Sequence, residues 1–467
     1  MTEADLLIRG GYVALPGKMA RVDLVVAGGK IAALAPGLEL PPSAVHAVLE
    51  ASGLLILPGA IDAAVRFLPA TVETRITPTS IGAAFAAGGG TLYADLPGGR
   101  NLPVFDPEGF ERKKAFLLAH SRTDFALWAG ISGSTAHLKQ MEALRDLGIV
   151  GFHAVLAPAE RDGLPPVAAR LLLKAMKMAA RLGLPVHLHP EAGVPELPQS
   201  GSGGPRAAFL LCRPEKAETE AVRIALDLAG EAGCALFLSP LTLPASLALV
   251  EEARKKHPAP VVVTGAAAHH LLFSEEDGAA AEAAALKKEK EKAPPPGLLR
   301  GRPLPPLRPE AVRAAFLAAA VAGRIDLLGS GHAEAHGMQT AQNAFPALLT
   351  RSDLAPETGD GRARLADRFG TAAAALLGPG IAARKGSIAP GRDADLLFLD
   401  LDEAYRVDPA GLLYETHTPI GPSLYAGQIQ GGRIVRVLQR GRTLFSNGRM
   451  AKIVKGREVC FIPRQES

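Results

Sequence analysis

Short apolar runs alternate with longer segments of helical periodicity between residues 58 and 384, and no other feature constrains the fold of this chain as strongly. The apolar runs fall at residues 185–189, 235–239, 261–265 and 325–330. The helical segments fall at residues 167–181, 214–231, 244–256 and 309–322. Several of these segments open with proline, which suits the first turn of a helix. This alternation predicts an α/β fold in which a parallel sheet closes into a (β/α)₈ TIM barrel.

Both ends of the chain have the composition of short β-strands. Runs rich in β-forming residues occupy positions 5–13 and 23–33, and paired glycines at 28–29 and 431–432 each precede a basic residue and isoleucine. These likenesses suggest that the two ends contribute to one module. We therefore predict a small β-sandwich domain built from both chain ends, residues 1–57 plus 385–467, with the barrel of residues 58–384 inserted between them.

Composition and charge argue against several classes of function. The net charge is +4 over 467 residues and no Lys- and Arg-lined face carries interleaved aromatics, so no nucleic acid partner is expected. No run of about 18 apolar residues lacks charge, so no membrane span is predicted. The acidic N-terminus is unlike a signal peptide, and Cys212, Cys234 and Cys460 form no paired motif. We expect a cytoplasmic protein with reduced thiols.

Residues 275–308 break the alternation. An Ala- and Glu-rich stretch leads into a Lys/Glu run at 287–292 and three prolines at 294–296. This composition predicts a mobile, solvated insertion. The functional alternative is an arm that covers the barrel mouth or binds a partner.

Three motifs follow one another along the chain. Residues 57–67 read LPGAIDAAVRF, residues 86–97 read AAGGGTLYADLP, and residues 384–396 read RKGSIAPGRDADL. The first resembles the PG-x-ID-x-H-x-H-F signature of cyclic amidohydrolases, and the last is similar to their KG-x-I-x-PG-x-DADL segment. The closest pattern is that of dihydroorotase, which implies an amidohydrolase barrel and association into homo-oligomers. Further matching landmarks lie at residues 148–152, 189–191, 213–215, 269–271 and 305–308.

The resemblance also implies a chemistry. Dihydroorotases use a metal-bound hydroxide, a Lewis acid on the substrate carbonyl and an aspartate that moves the proton. The positions that match the metal ligands and this aspartate are Ala64, Arg66, His153, His189, Pro240 and Gly331. Only His189 keeps the family residue. We therefore predict that the normal two-metal site is absent, that no family catalytic residue remains, and that no cofactor is bound.

The substrate side of the pattern is also altered. Leu68 replaces the family arginine, Gly98 stands near the family asparagine, and His332 matches the histidine beside the catalytic aspartate. The polar residues that remain are predicted to form a vestigial pocket, namely Arg66, His153, His189 and His332. A zinc ion held by His153, His189 and His332 is the alternative, because three protein ligands and a water make a catalytic zinc site.

The carboxylates nearest to this pocket in sequence are Glu191 and Glu334, and their directions are open at this point. His269 and His270 follow a predicted strand and are expected to satisfy polar groups near the barrel mouth. Arg66 is the most unusual residue, since a buried guanidinium needs a partner. Our hypothesis is that Arg66 occupies the old metal position and replaces the positive charge of the ion, held by an acidic group or an anion.

Three interpretations of function follow. The leading one is a catalytically inactive dihydroorotase homologue with an assembly role in pyrimidine biosynthesis, as partner to the aspartate transcarbamoylase catalytic chain. The second is a metal-dependent hydrolase that acts on cyclic amide C–N bonds through a rebuilt one-metal site. The third is an anion-binding or scaffolding module. The missing ligands favour a protein that is not an enzyme.

Overall fold

The computed structural model describes residues 4–67, 78–98, 102–157, 164–194, 204–256, 261–288, 302–332, 339–356, 360–413, 424–452 and 454–461. Its strands are β1 (Leu6–Arg9), β2 (Tyr12–Leu15), β3 (Lys18–Arg21), β4 (Asp23–Ala27), β5 (Lys30–Ala35), β6 (Val48–Glu50), β7 (Leu55–Pro58), β8 (Ala60–Val65), β9 (Gly90–Asp95), β10 (Asp124–Leu127), β11 (Ala129–Gly130), β12 (Phe152–Val155), β13 (Val186–His189), β14 (Leu236–Leu238), β15 (Val262–Ala267), β16 (Leu327–Gly329), β17 (Leu396–Asp400), β18 (Tyr405–Arg406), β19 (Ile429–Gln430), β20 (Arg433–Gln439), β21 (Arg442–Ser446) and β22 (Arg449–Met450).

The α-helices are α1 (Pro78–Ala87), α2 (Pro107–His120), α3 (Thr135–Leu138), α4 (Met141–Asp146), α5 (Ala169–Leu182), α6 (Gly204–Cys212), α7 (Glu215–Ala232), α8 (Pro244–Lys256), α9 (Ala268–Leu272), α10 (Glu275–Lys288), α11 (Glu310–Val321), α12 (Ala344–Leu349), α13 (Gly361–Phe369), α14 (Thr371–Leu376) and α15 (Pro379–Ala382). Pro214 and Pro309 precede α7 and α11 as their N-cap residues. The fixed φ of proline suits these starts, as the sequence predicts.

Strands β8 to β16 form the wall of the barrel. They are parallel neighbours in chain order, and β10 and β11 are two parts of one wall strand that pair with β9 and β12 respectively. The barrel closes between its last and first strands, where Arg66 N donates to His332 O at 3.4 Å and Ser330 N donates to Asp62 Oδ2 at 3.0 Å. The predicted (β/α)₈ barrel with an added β domain is confirmed.

A β module combines strands from both ends of the chain. One sheet has the order β5-β4-β1-β6, and the other has the order β22-β21-β20-β17-β7-β2-β3. Side chains from both sheets, such as Ile8, Leu24, Ile56 and Phe398, share one buried apolar cluster. The central pairing of β7 with β17 joins residues that are more than 300 positions apart, because the barrel is inserted between them.

The two glycine pairs serve different connections. Gly28 and Gly29 link β4 to β5, which pair as an antiparallel hairpin. Gly431 and Gly432 link β19 to β20, but β19 pairs with β18 and β20 pairs with β17 and β21. Similar glycine dipeptides therefore do not mark equivalent elements here. The proposed domain boundaries at residues 57–58 and 384–385 stay a prediction.

Parts of the 275–308 segment differ from the prediction of a mobile, solvated insertion. Its first part is the helix α10, and residues 289–301 lie outside the described residues. Arg308, at its end, is buried and donates from Nε to Thr242 Oγ1 at 2.8 Å and from Nη2 to Glu218 Oε2 at 3.3 Å. The last residues are therefore anchored by a buried ion pair, which a composition count cannot show.

A buried charge cluster fixes the barrel against the β module. Lys385 Nζ lies 2.8 Å from Asp124 Oδ2 on β10, 2.5 Å from Asp395 Oδ2 and 3.2 Å from Asp393 Oδ2. Arg440 also pairs with Asp124. Burial lowers the affinity of the Lys385 amine for a proton, but the three carboxylates outweigh it and raise its pKa. Among the described residues, no helix is long and apolar enough to cross a membrane.

Candidate active site

The four residues predicted to form a pocket, Arg66, His153, His189 and His332, lie in one cavity at the carboxyl ends of the barrel strands. The cavity has a volume of about 70 Å³, which is room for a few water molecules. Its lining residues are Ala64, Val65, Arg66, Leu96, His153, His187, His189, Ser239, Pro240, His269, Pro303, Leu304, Gly331 and His332. This end of a barrel is where the active sites of such folds are built.

A chain of hydrogen bonds crosses the cavity floor from Arg66 to Ser239. Arg66 Nη2 lies 3.3 Å from His153 Nε2, His153 Nδ1 lies 2.9 Å from His187 Nδ1, and His187 Nε2 lies 2.9 Å from the carbonyl oxygen of Ser239. A carbonyl only accepts, so His187 must donate from Nε2 and accept at Nδ1. His153 must then donate from Nδ1 and accept at Nε2 from Arg66. Both imidazoles are therefore neutral, and their hydrogen-bond partners assign the Nδ1–H tautomer to His153 and the Nε2–H tautomer to His187.

The protonation of this chain follows from its burial. Desolvation lowers the pKa of His153 well below its ordinary value, and the neighbouring His187 and Arg66 lower it further. Desolvation also lowers the pKa of His187 to about 3, although its bond to Ser239 acts in the opposite direction. Burial lowers the pKa of Arg66 to about 10, with Asp95 opposing that change. Arg66 is thus a cation at neutral pH, faced by neutral imidazole.

Asp95 is the carboxylate whose negative charge acts on the guanidinium of Arg66. Its Oδ1 accepts a hydrogen bond from Phe67 N at 3.0 Å, and its Oδ2 lies 2.5 Å from Lys113 Nζ. The same lysine donates to Leu96 O at 2.8 Å. Arg66 lines the cavity, its hydrogen bond goes to the imidazole of His153, and Asp95 acts on it through its charge. The hypothesis that Arg66 replaces the charge of the metal ion, held by an acidic group or an anion, stays a prediction.

His189 belongs to a second polar chain on the other side of the cavity. Its Nε2 donates to Glu191 Oε2 at 2.8 Å, and Arg213 Nη1 donates to the same oxygen at 2.7 Å. Burial alone would raise the pKa of Glu191, but the bond from His189 and the charge of Arg213 lower it to about 2. An ionised carboxylate therefore holds a cavity-lining imidazole through a proton on Nε2.

The loop after β16 supplies Gly331 and His332. His332 Nδ1 accepts from the backbone N–H groups of Thr340 at 3.3 Å and Ala341 at 3.4 Å, so its neutral ring carries the proton on Nε2. Burial lowers the pKa of His332 to about 3. Gly331 has a φ of +61°, and a Cβ built there would overlap Ala267 Cβ and the ring of His269. The backbone at this position therefore has no room for an aspartate.

These residues do not fit a two-metal centre. Ala64, Pro240 and Gly331 offer no donor side chain, and both ring nitrogens of His153 are engaged within the protein. Within the described ranges, no group of three or more His, Cys, Asp or Glu side chains is placed to hold a metal ion. The alternative trio of His153, His189 and His332 meets in the cavity but is not arranged as such a group. A guanidinium beside them also repels a divalent cation.

The remaining predictions are placed as follows. Gly98 is buried after β9, and His269 and His270 lie buried in α9. His270 Nε2 lies 2.9 Å from Pro305 O, so it does satisfy a polar group. Leu68 and Glu334 lie outside the described residues. The sequence reasoning missed His187 and the role of Arg213. His187 was detectable, because positions two apart on a strand share a face with His189.

Comparison with known proteins identifies relatives along nearly the full length. The allantoinase of Rubrobacter xylanophilus is 33% identical over 98% of this chain and 98% of its own. The allantoinases of Solibacter usitatus and Deinococcus radiodurans are each 31% identical, over 95% and 97% of this chain and 94% and 98% of their own. No protein-family model matches the chain.

Solved structures agree on the fold. The L-hydantoinase (dihydropyrimidinase) of Arthrobacter aurescens superposes with a TM-score of 0.82 at 23% identity, over 98% of this chain and all of its own. The dihydropyrimidinase of Brevibacillus agri NCHU1002 gives a TM-score of 0.80 at 20% identity, over 98% of this chain and 99% of its own. At these identities the likeness concerns the barrel and its β-rich addition.

These findings correct the leading interpretation of the sequence. The full-length relatives are named as allantoinases, which points to an active cyclic amide hydrolase and not to an inactive scaffold of pyrimidine biosynthesis. The inclination against an enzyme is wrong for the same reason. It treated the loss of metal ligands as the loss of activity. The predicted partnership with aspartate transcarbamoylase and the predicted homo-oligomer stay predictions. By sequence along its whole length and by fold, the chain belongs to the cyclic amidohydrolase family that includes the allantoinases.

Proposed function

We propose that this protein hydrolyses an endocyclic amide bond of a small cyclic ureide or related ring, and that His189 is the general base. One observation carries the proposal. His189 lines the cavity with one ring nitrogen fixed on the Glu191 carboxylate, which is itself fixed by Arg213. The names of the relatives support the substrate class, since allantoin, hydantoin and dihydropyrimidines are all rings with an amide or ureide bond.

The base is built as a carboxylate–imidazole pair. With its Nε2 proton donated to Glu191, His189 has a lone pair at Nδ1 that can accept a proton from a water molecule. The imidazolium that forms is stabilised by the ionised Glu191, which Arg213 keeps in place. Orientation of a histidine by a carboxylate in this way is a recurring device of hydrolytic enzymes.

Arg66 provides the positive charge that the reaction needs. Attack of water on the ring carbonyl places negative charge on its oxygen, and a cation held in a fixed position stabilises that charge. Arg66 has this property because its guanidinium stays protonated at neutral pH and is bonded to His153. His332 lines the same cavity with its proton on Nε2 and is a second candidate donor to a substrate oxygen.

The step balances without a further reactant. The water oxygen bonds to the carbonyl carbon while His189 takes one of its protons. The tetrahedral adduct then collapses, the ring C–N bond breaks, and His189 returns the proton to the leaving nitrogen. The products are one open chain with a new carboxylic acid, which ionises, and a new N–H group. No residue is oxidised or reduced.

The test is a panel of rings offered to the full-length protein: allantoin, hydantoin, dihydrouracil and dihydroorotate. We expect ring opening of at least one of them, detected as the acyclic acid by mass spectrometry. His189→Ala should lower kcat by about 10²–10⁴, the usual value of a general base. His120→Ala is the matched control, because His120 lies exposed at the end of α2. Failure of every ring, or full activity of His189→Ala, would overturn the proposal.

A further inference from the structure

We infer that Arg66 takes over the role of a metal cation in this cavity, and that His153 and His187 are positioning residues that hold its guanidinium there through hydrogen bonds ending on the backbone of Ser239. The inference deepens the proposed hydrolysis, on which its catalytic part rests. It starts from the disagreement between the site residues and the metal centre that the family pattern implies.

The first step concerns the hydrogen bond that each ring nitrogen of His153 and His187 makes. The two imidazoles between Arg66 and Ser239 have four ring nitrogens, and all four take part in hydrogen bonds within the chain. Because Ser239 O can only accept, the direction of every bond is fixed, and it ends with His153 Nε2 as an acceptor facing Arg66. A metal ion would need that same lone pair. The guanidinium and a metal are therefore mutually exclusive at His153.

The second step concerns the neighbouring positions. Position 64, a family ligand, is an alanine, and Ala64 lines the cavity beside Arg66. At Gly331 the backbone conformation and the packing of Ala267 and His269 exclude any larger side chain. Position 64 therefore lacks a metal-ligating side chain and position 331 lacks the room for one, so Arg66 is the charged group at this end of the cavity.

The third step concerns the charge. A guanidinium is a cation at any pH at which the protein is folded, and that of Arg66 is hydrogen-bonded to His153 Nε2 at 3.3 Å. It lines the cavity and is held by His153, so little reorganisation is needed when a carbonyl oxygen becomes negative. In this scheme the nucleophile is a water molecule deprotonated by His189, which takes the place of the metal-bound water of the family mechanism. Arg66 is hence the electrophilic group and His189 the base.

The first test measures metal binding and not turnover. The full-length protein is dialysed against a chelator, then against zinc, and bound zinc is measured by elemental analysis. We expect substoichiometric zinc, equal in the wild type and in a His153→Gln variant. About one or more zinc ions per chain that are lost in His153→Gln would overturn the inference.

The second test reads the hydrogen-bond chain directly. Nitrogen-15 NMR of histidine-labelled protein should show a neutral Nδ1–H tautomer for His153 and a neutral Nε2–H tautomer for His187, unchanged by zinc. The signals are assigned with His153→Gln and His187→Gln, and folding of both variants is checked by circular dichroism. The opposite tautomers, or a zinc-dependent shift of the His153 signals, would contradict the inference.

The kinetic test separates charge from shape. Arg66→Met should lower kcat by about 10²–10³ with a smaller change in KM, as removal of a transition-state donor does. Arg66→Lys should retain more of kcat than Arg66→Met, because it keeps the charge, and a chelator should leave wild-type kcat unchanged. Equal loss in both variants would contradict the assigned role. If no ring is opened while zinc stays unbound and the tautomers are as stated, the proposed function fails and the replacement of the metal stands.

Discussion

Replacement of Gly331 by alanine tests how firmly the altered site is built into the fold. Gly331 has a φ of +61°, and a Cβ there would overlap Ala267 Cβ and the His269 ring, with His269 Nδ1 at 2.9 Å. The left-handed conformation costs a non-glycine residue about 1–2 kcal/mol. Overpacking of the buried contact adds about 1–3 kcal/mol. We expect Gly331→Ala to lower the free energy of unfolding by about 2–5 kcal/mol.

Gly233→Ala is the matched control for this prediction. Gly233 ends α7 with a φ of +63°, and a Cβ there meets no atom within 4 Å. Its substitution therefore carries the conformational cost alone. The assay is urea denaturation of both variants and the wild type, with the midpoint shift multiplied by the common slope. Equal losses in the two variants, or no loss in Gly331→Ala, would refute the reasoning that packing closes this position to a larger side chain.

Two further predictions concern buried charges. Lys385→Met leaves Asp124, Asp393 and Asp395 without their shared cation, so we expect a loss of about 3–5 kcal/mol in urea denaturation; a variant as stable as the wild type would contradict the anchoring role. The pKa of Glu191 is about 2 in the folded protein, below its ordinary value of 4.5. The ionised Glu191 side chain therefore contributes its full stabilisation above pH 4.5, and this stabilisation is lost as the pH falls toward 2. The stability difference between wild type and Glu191→Gln should shrink by about 2 kcal/mol from near pH 6 to near pH 3, and a pH-independent difference would argue against an ionised Glu191.

The fold was predictable because its signals are local and repeated. Apolar runs of a few residues, each followed by a helical segment, gave the wall strands β13 to β16 within one or two residues of their bounds. The glycine pair at 431–432 shows the limit of local signals. Its sequence resembles the hairpin at 28–29, yet the strands on either side of it pair with other partners, which only the tertiary structure decides.

The sequence indicated which residues lie at the strand ends, but not the hydrogen bonds that decide what those residues can do. The strand ends singled out in the sequence include Arg66, His153 and His189, and these three residues line one cavity. Their roles depend on which atom each ring nitrogen faces, and this depends on His187, whose carbonyl partner is 52 positions away in the chain. The His189–Glu191 bond was likewise invisible, since two residues so close in sequence can face either way.

The mistaken inference of inactivity has a physical origin as well. The missing ligands at Ala64, Pro240 and Gly331 show that the family's metal centre cannot form. They do not exclude another cation and another base in the same cavity. In our proposal Arg66 is that cation and His189 is that base, since both line the same cavity. A reaction that needs an electrophile and a base can be served by different groups, provided that they are pre-organised.

The most direct measurement of the central claim is the fate of water oxygen in the reaction. The full-length protein is incubated with each ring in oxygen-18 water after chelator treatment, and the products are analysed by mass spectrometry. We predict an acyclic acid that carries one oxygen-18 atom in its new carboxylate, formed by the wild type and by His120→Ala but nearly absent with His189→Ala. No ring-opened product from any of the rings, or the same amount from His189→Ala, would contradict the account.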